Sequence, residues 1–428
     1  MFPHKPDLSL TKKINRVCFL NPQGYVAYPP PLGKTDTGGQ TIYILQLAEA
    51  LGRKNIKVDI ITRQFDKQPQ EEQIFPNVRI VRIPAGNDAF VAKERMYELM
   101  PEMMENFMIY IEKTKKKYDL IHSHYWDGGY GGIILQKMLD IPHVFTPHTL
   151  GKSKKLDMAI EEAPVQKLKP YYRYHVRIAL EQKIMSKAQA TVVICETSRI
   201  QILQHYMVDF EKLHVIFPGV DTRVFNTQKT QFDKQLKLKK NSILSMCRIV
   251  PAKGLDRLLD ALSLLKNRID FHWYISGGQP GSILSQEEKI ATDELTTRIK
   301  NHHLQDRVTF IGQVDHTNMV PAYYRNTDLF VLASRYEPFG LTTLEAMACG
   351  TAPIVSNIAG SKEVIIDGLN GFTVNIHDRK QTAELIYRLL KDKKLVEKTS
   401  ENAAFTIKEH YTWDKLVEQF IKLYKNLI

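Results

Sequence analysis

Residues 329–355 read LFVLASRYEPFGLTTLEAMACGTAPIV, and this stretch decides the fold class. It begins and ends with short apolar runs, Leu329–Leu332 and Pro353–Val355, which are typical of buried strands. Between the two runs, a loop at Glu337–Gly340 leads into a helical segment. A strand, a loop, a helix and a second strand form a βαβ unit, so the stretch predicts two parallel strands.

The same alternation extends in both directions and restarts once along the chain. Helical stretches such as Gln40–Arg53 and Tyr171–Ser186 separate most of the apolar runs. In the first half the runs are 17–20, 58–61, 78–81, 119–121, 143–145, 191–194 and 214–217. In the second half they are 243–246, 272–275, 308–311, 329–332 and 353–355. The pattern predicts an α/β protein with two doubly wound, Rossmann-like domains facing across a cleft.

The chain length agrees with this division. At 428 residues the chain suits two domains of about 200 residues each. We expect an N-terminal domain at 1–218 and a C-terminal domain at 219–405. Residues 406–428 are expected to form a helix that packs back toward the N-terminal domain.

Composition excludes several classes of protein. Hydrophobic residues make up 43% and charged residues 25%, which are globular proportions. We find no apolar run of membrane-spanning length and no secretory segment, and the four cysteines form no CxxC pair. These features predict a cytoplasmic protein. The net charge of +12 favours an anionic partner, which leaves phosphorylated metabolites, nucleic acid and acidic lipid open.

Polar clusters follow three predicted strands of the first half. Asp36-Thr-Gly-Gly-Gln40 precedes a helix, where paired glycines and exposed N–H groups favour an anion. His122-Ser-His-Tyr-Trp-Asp127 reads as a polar loop, with Tyr125 and Asp127 as its functional side chains. Thr146-Pro-His-Thr-Leu-Gly-Lys-Ser-Lys154 places a histidine beside lysines. We do not favour a metal site at the two histidine clusters, because no carboxylate lies at ligand spacing.

Two further clusters follow strands of the second half. Arg248-Ile-Val-Pro-Ala-Lys-Gly254 places two cations and a glycine before a helix, which suits a diphosphate. In the other cluster, Glu337 lies in a loop and Glu345 lies two turns along the following helix. The two carboxylates therefore address different parts of one long ligand.

These motifs together resemble those of the retaining GT-B glycosyltransferases. Glu337-Pro-Phe-Gly-Leu-Thr-Thr-Leu-Glu345 is similar to the E-x7-E motif of that class, and Arg248 with Lys253 matches its phosphate-binding pair. Gly360-Ser-Lys-Glu363 and Asn370-Gly-Phe372 are also similar to it. The resemblance covers nearly the whole chain.

Motifs of the first half narrow the resemblance to the sucrose-phosphate synthase and mannosylfructose-phosphate synthase branch. They are Gly24-Tyr-Val-Ala27, Pro30-Pro-Leu-Gly33, Asp36-Thr-Gly-Gly-Gln40, His124-Tyr-Trp-Asp127 and Pro147-His-Thr-Leu-Gly151. The mannosylfructose-phosphate synthases are the more similar of the two. The resemblance implies transfer of mannose or glucose from a nucleotide-sugar, GDP-mannose or UDP-glucose, to fructose 6-phosphate.

The resemblance also implies that the domain at 1–218 binds the acceptor and the domain at 219–405 binds the nucleotide-sugar, and it implies a role for each site residue. His148 contacts the transferred sugar, Arg248 and Lys253 hold the diphosphate, and Glu345 binds the ribose hydroxyls. Catalytic roles fall to His148, Arg248, Lys253 and Glu337. Donor contacts fall to Gly38, Gly39, Arg248, Lys253, Glu337, Phe339, Gly340, Leu341 and Glu345. Acceptor contacts fall to Gln40, Lys93, Tyr125, Asp127, Thr149, Lys154 and Arg177.

Charge chemistry agrees with these roles. Two fixed cations stabilise the charge that develops on the departing diphosphate, so we expect no metal and no other cofactor. Because no side-chain nucleophile is evident, retention favours attack by the acceptor on the same face of the hexose from which the leaving group departs, with the departing phosphate as base. Two alternatives stay open: transfer to free fructose, as in sucrose synthase, and a membrane-surface enzyme with a lipid acceptor. A nucleic-acid partner is not expected.

Overall fold

The computed structural model describes residues 13–31, 37–159, 173–277 and 286–428. Contacts divide the chain into two compact units. Of the described residues, unit 1 contains 13–31, 37–155, 173–217 and 413–428, and unit 2 contains 156–159, 218–277 and 286–412. The chain thus leaves unit 1 between Phe217 and Pro218 and returns to it at Trp413.

Unit 1 contains a sheet that is parallel except at one edge. Its strands are β1 (Arg16–Leu20), β2 (Lys57–Arg63), β3 (Glu71–Phe75), β4 (Val78–Ile83), β5 (Leu120–His124), β6 (His143–Thr146), β7 (Ala190–Val193) and β8 (Leu213–Val215). Among the described residues the order is β3-β4-β2-β1-β5-β6-β7-β8, and only the β3–β4 pair is antiparallel. The central order, in which the chain winds outward from β1 in both directions, is that of a Rossmann-like sheet.

Unit 2 repeats this plan with parallel strands. They are β9 (Ser242–Ser245), β10 (His272–Ser276), β11 (Val308–Gly312), β12 (Leu329–Leu332), β13 (Ala352–Ser356) and β14 (Phe372–Val374). Their order in the described part of the chain is β11-β10-β9-β12-β13-β14. The pairing of β12 with β13 confirms the βαβ unit predicted from residues 329–355. The prediction of two doubly wound α/β domains is confirmed.

Helices cover the faces of both sheets. In unit 1 they are α1 (Gly39–Arg53), α2 (Lys93–Met96), α3 (Met100–Thr114), α4 (Tyr125–Leu139), α5 (Gly151–Ala159), α6 (Tyr174–Lys187) and α7 (Glu196–His205). In unit 2 they are α8 (Leu255–Ser263), α9 (Gln286–Asn301), α10 (Met319–Asn326), α11 (Leu341–Ala348), α12 (Arg379–Lys391) and α13 (Lys393–His410). Helix α14 (Trp413–Leu427) closes the chain. No helix in the described ranges is long and apolar enough to cross a membrane.

The last helix belongs to unit 1. Trp413 of α14 donates its indole N–H to Gln46 of α1 at 2.7 Å, and the hydroxyl of Tyr424 lies 2.6 Å from Nδ1 of His122 in β5. This segment starts later than residue 406, because residues 406–410 are the last turns of α13. Helix α13 packs against β13 and α11 within unit 2.

Two strands were not anticipated from the sequence. Strand β3 reads EEQIF, is largely polar and partly exposed, and within the described ranges pairs only with β4, at the edge of its sheet. Strand β14 has three residues and also lies at an edge. Neither carries the buried apolar run by which a central strand is recognised.

Candidate active site

A tight loop between β12 and α11 carries Glu337. The backbone carbonyl of Glu337 accepts from Gly360 N–H at 3.1 Å, and that of Phe339 accepts from Ser361 N–H at 2.8 Å. Gly340 then turns the chain into α11 with φ 98°, and a Cβ there would lie 2.7 Å from Leu332. Leu341 begins the helix, and no side chain caps that start among the described residues. The N–H groups at this helix start can therefore serve a ligand oxygen.

Lys253 lies against the same loop. Its ammonium is 2.5 Å from Oε2 of Glu337, and both side chains are partly exposed. The sequence places these two residues 84 positions apart. Arg248 is exposed, and its guanidinium makes no hydrogen bond or ion pair within the described ranges. The pair and the exposed arginine bring three of the predicted donor contacts to the carboxyl ends of β9 and β12.

Gly254 and two residues that the sequence did not single out, Asp256 and Arg335, hold this arrangement. Gly254 has φ 62°, and a Cβ there would lie 2.1 Å from the carbonyl oxygen of Ala333. Arg335 donates two hydrogen bonds to the carboxylate of Asp256, at 2.7 and 2.6 Å, and a third to the Pro251 carbonyl. The turn that carries Lys253 is thereby fastened to the loop that carries Glu337.

Glu345 lies in the second turn of α11 and is buried. Its Oε1 is 3.0 Å from Nε2 of His316, and its Oε2 accepts from the hydroxyl of Tyr324 at 3.2 Å. Burial lowers the pKa of His316, but the charge and hydrogen bond of Glu345 outweigh burial and raise it above its ordinary value. His316, which follows β11, was missed because a lone histidine in a loop carries no motif.

In unit 1, the glycine pair lies at the start of α1. Gly38 precedes the helix and Gly39 begins it, and no described side chain caps that end. A Cβ on Gly38 would meet nothing within 4 Å. The amide of Gln40 donates to Oδ1 of Asn21 at 2.7 Å, which fixes its side chain. Of the motifs quoted above, residues 32–36 and 171–172 lie outside the described residues.

The polar loop expected at His122–Asp127 does not exist. Strand β5 runs to His124, and α4 begins at the next residue, so Tyr125 and Asp127 occupy the first turn of a helix. The glycines that follow serve packing: a Cβ on Gly128 would lie 2.6 Å from Leu20 O, and one on Gly129 would lie 2.8 Å from Phe145. Because these two positions lack side chains, α4 can pack closely against the sheet. It begins directly after β5, without a connecting loop.

Arg177 of α6 organises the surroundings of Tyr125. Its Nε donates to Glu181 at 2.7 Å, its Nη1 to the Tyr125 hydroxyl at 2.9 Å, and its Nη2 to both oxygens of Thr149 at 2.7 Å. Arg177 and Glu181 are both buried. Glu181 also accepts the N–H of Gly151, at the start of α5. The arginine and its partner thus hold the loop that follows β6.

Two more of the predicted acceptor contacts are lysines. Lys93, in the first turn of α2, is 3.8 Å from the carboxylate of Glu94. Burial raises the pKa of Tyr125, and the charges of Arg177 and Lys93 act in the opposite direction. Lys154 lies in the first turn of α5 and is half-buried. Arg177 therefore joins Tyr125 and Thr149 by hydrogen bonds, and the charge of Lys93 acts on Tyr125.

His148 follows β6 in a left-handed conformation, with φ 57°. Its Nε2 lies 3.1 Å from Nδ1 of His124. Burial lowers the pKa of His148 to about 3, so the imidazole is neutral near pH 7. His122 is a core residue, because its two ring nitrogens contact the hydroxyls of Tyr424 and Thr146.

No group of three or more His, Cys, Asp or Glu side chains in the described ranges can hold a metal ion. That transfer needs no metal stays a prediction. Among the missed residues named above, Glu181 has a local signal, because Arg177 and Glu181 are opposite charges at i,i+4 on one helix. The partners of Glu345 and Lys253 come from distant segments and leave no such signal.

Known proteins that are similar to this chain are glycosyltransferases. The profile described as "Glycosyl transferases group 1" matches residues 226–406, and that described as "Glycosyltransferase Family 4" matches residues 37–224. The mannosylfructose-phosphate synthase of Agrobacterium fabrum (strain C58 / ATCC 33970) is 32% identical over 97% of this chain and 92% of that protein. The D-inositol 3-phosphate glycosyltransferase of Paenarthrobacter aurescens (strain TC1) is 30% identical over 92% of this chain and 95% of that protein. The solved sucrose-phosphate synthase of Thermosynechococcus elongatus has a TM-score of 0.83 and 25% identity, covering 96% of this chain and 99% of that one.

Proposed function

Because this chain belongs to the group 1 glycosyltransferases of the GT-B fold, we propose that it transfers mannose or glucose from a nucleotide-sugar to fructose 6-phosphate, with retention at the anomeric carbon. The donor is GDP-mannose or UDP-glucose. Unit 2 binds the donor through Arg248, Lys253, Glu337 and Glu345. Unit 1 binds the acceptor.

The hydrogen-bonded cluster of Arg177, Tyr125 and Thr149 carries the proposal for the acceptor, and the charge of Lys93 acts on Tyr125 in that cluster. Hydroxyl and phenol oxygens of this cluster suit the hydroxyls of a sugar, and the lysines suit its phosphate. A phosphate bound by a cation gains hydrogen bonds worth about 1.5–3 kcal/mol each. Free fructose lacks the phosphate and so cannot make those hydrogen bonds.

The names of the relatives support an acceptor that bears a phosphate. Mannosylfructose-phosphate synthase and sucrose-phosphate synthase are named for phosphorylated products, and D-inositol 3-phosphate glycosyltransferase for a phosphorylated substrate. These three kinds of protein differ in the sugar or polyol and share the phosphate. D-inositol 3-phosphate is accordingly the second candidate acceptor, on the strength of 30% identity to such an enzyme.

Lys253 and Arg248 account for activation of the donor. As the bond to the leaving group breaks, negative charge grows on the diphosphate, and fixed cations stabilise that charge better than water does. The departing phosphate then takes the proton of the attacking hydroxyl on the same face. Once the diphosphate has replaced Glu337 as the partner of Lys253, the carboxylate of Glu337 binds the hydroxyls of the hexose.

A matrix of donors and acceptors tests the proposal. GDP-mannose, UDP-glucose and ADP-glucose are each assayed with fructose 6-phosphate, fructose and D-inositol 3-phosphate, and NMR of the product gives the anomeric configuration. We expect kcat/KM for fructose 6-phosphate to exceed that for fructose by at least about a hundredfold. Equal turnover of the two would indicate sucrose synthase chemistry. Turnover of inositol phosphate alone would establish the second candidate.

The lipid-acceptor alternative has its own test. Flotation with vesicles of acidic phospholipid, with and without donor, measures association with a membrane surface. Under the proposal the protein stays at the bottom of the gradient. Co-flotation, together with no turnover of any of the three small acceptors, would indicate that the acceptor is a lipid and not a sugar phosphate.

A further inference from the structure

Two histidines from neighbouring strands form a hydrogen bond at the predicted site. His124 ends β5 and His148 follows β6, and Nδ1 of His124 lies 3.1 Å from Nε2 of His148. The ring of Tyr43 packs edge-on against His148 with centroids 5.0 Å apart, and Trp413 packs against Tyr43 at 5.2 Å. Packing against Tyr43 therefore holds the His148 ring in position, in addition to the hydrogen bond with His124.

Neither ring is charged near pH 7. Burial lowers the pKa of His148 to about 3 and holds that of His124 well below its ordinary value. In a pair of neutral imidazoles one ring donates and the other accepts. Two arrangements satisfy the observed distance, and they differ in which nitrogen of each ring carries the proton.

The second nitrogen of His124 distinguishes the arrangements. Its Nε2 is buried and has no hydrogen-bond partner in the described part of the chain. If His148 donated, His124 would carry its proton on Nε2, which would bury an N–H without an acceptor. Buried N–H groups without a partner are rarer in proteins than acceptors with a spare lone pair. The arrangement in which His124 donates from Nδ1 avoids that cost.

We propose that His124 is a positioning residue that donates its Nδ1–H to Nε2 of His148 and thereby holds His148 as the Nδ1–H tautomer. The ring of His148 then presents an N–H donor in a fixed direction. No other hydrogen bond to that ring occurs among the residues that the structure describes. This N–H donates a hydrogen bond to a hydroxyl of the transferred hexose, a step that rests on the proposed function.

The tautomer is measured directly, without turnover. In protein labelled with ¹⁵N-histidine, the shifts of the two ring nitrogens report which one carries a proton, and His148→Gln assigns the signals. We expect a protonated Nδ1 on both His124 and His148, and a mixture of tautomers on His148 in the His124→Leu variant. A protonated Nε2 on His148 in the wild-type protein would overturn the proposal and leave the proposed function standing.

A kinetic comparison tests the consequence for catalysis. His124→Asn keeps an amide N–H near the place of Nδ1, whereas His124→Leu fills similar space without a donor. We expect His124→Leu to lower kcat about tenfold, and we expect the kcat of His124→Asn to stay within about threefold of wild type. Because His148 is assigned to the hexose, the Kd for the nucleoside diphosphate alone should stay unchanged in both.

Stability is measured for both variants by thermal unfolding. If His124→Leu does not fold, the tautomer measurement on wild type and on His124→Asn still decides the proposal. Unchanged kcat in a folded His124→Leu variant would overturn the positioning role. A weaker Kd for the nucleoside diphosphate would overturn it as well, because it would indicate a general loss of structure.

Discussion

The ammonium of Lys253 lies 2.5 Å from the carboxylate of Glu337, so the cation assigned to the diphosphate is held by the group assigned to the hexose. In this resting pair each charge is positioned by the other. A bound donor would separate them, because the diphosphate competes for the ammonium and the hexose hydroxyls compete for the carboxylate. The pair therefore places both groups before substrate arrives.

Replacement of Lys253 by alanine should lower turnover more than donor affinity. In the proposed role, Lys253 meets charge that grows as the glycosidic bond breaks, and loss of one such group costs about a hundredfold in kcat. Steady-state kinetics with calorimetric donor affinity measure both effects. Lys394→Ala, at an exposed lysine on α13, is the matched control and should behave as wild type. Turnover of Lys253→Ala within about threefold of wild type would contradict the leaving-group role.

Replacement of Glu345 by alanine should weaken nucleotide binding, since its carboxylate is assigned to the ribose hydroxyls. The loss applies to ground state and transition state alike, so KM for the donor rises while kcat changes little. Calorimetry with UDP and GDP measures the affinity, and Glu397→Ala at an exposed position serves as control. An unchanged affinity for the nucleotide that supports turnover would remove the ribose assignment.

The His316–Glu345 pair should make stability depend on pH. Glu345 raises the pKa of His316, so the pair's contribution to the free energy of unfolding is fully present below about pH 6.5, the ordinary histidine value. That contribution is lost as pH rises through the raised pKa. In Glu345→Gln the pKa of His316 should fall and this dependence should disappear. Denaturant unfolding between pH 5.5 and about pH 9, with an NMR titration of His316, measures both. An identical pH dependence in wild type and variant would refute the coupling.

Lys154→Ala should lower kcat/KM for fructose 6-phosphate and leave that for fructose unchanged, because the lysine is assigned to the phosphate. Neighbouring Lys155 is exposed, so Lys155→Ala is the matched control. Arg177 is left in place, because its removal would strand the buried carboxylate of Glu181 at a cost of about 3–5 kcal/mol. Equal losses with both acceptors would show that Lys154 does not discriminate phosphate.

Gly254→Ala should reduce both stability and turnover. Gly254 and Gly368 have similar positive φ angles, 62° and 77°, but only at Gly254 would a Cβ collide, 2.1 Å from Ala333 O. Gly368→Ala should cost about 1–2 kcal/mol for its backbone conformation alone and keep its activity. Gly254→Ala should cost more and displace Lys253. Thermal unfolding and kcat of the two variants give the comparison, and matching values would refute a role for the close approach.

The sequence alone determined the layout of both domains. Apolar runs such as Val17–Leu20 and Leu329–Leu332 are local signals of central strands, because a parallel strand is buried on both faces. Their alternation with helices predicts the doubly wound sheets, and the ends of those strands locate the clusters around Lys253 and Glu337. Strand β3 was missed because an exposed edge strand need not be apolar.

The tertiary structure alone decided how the site residues are held. Arg177 meets Tyr125, 52 positions away, and His316 meets Glu345 across 29 positions. The start of α4 at Tyr125 likewise depends on glycine packing against Leu20, far away in sequence. Such contacts depend on how distant elements pack against one another. The residues that neighbour each partner in sequence therefore do not indicate the contact. Local pattern therefore identifies the segments that form a site, and only packing selects the side chains that hold it.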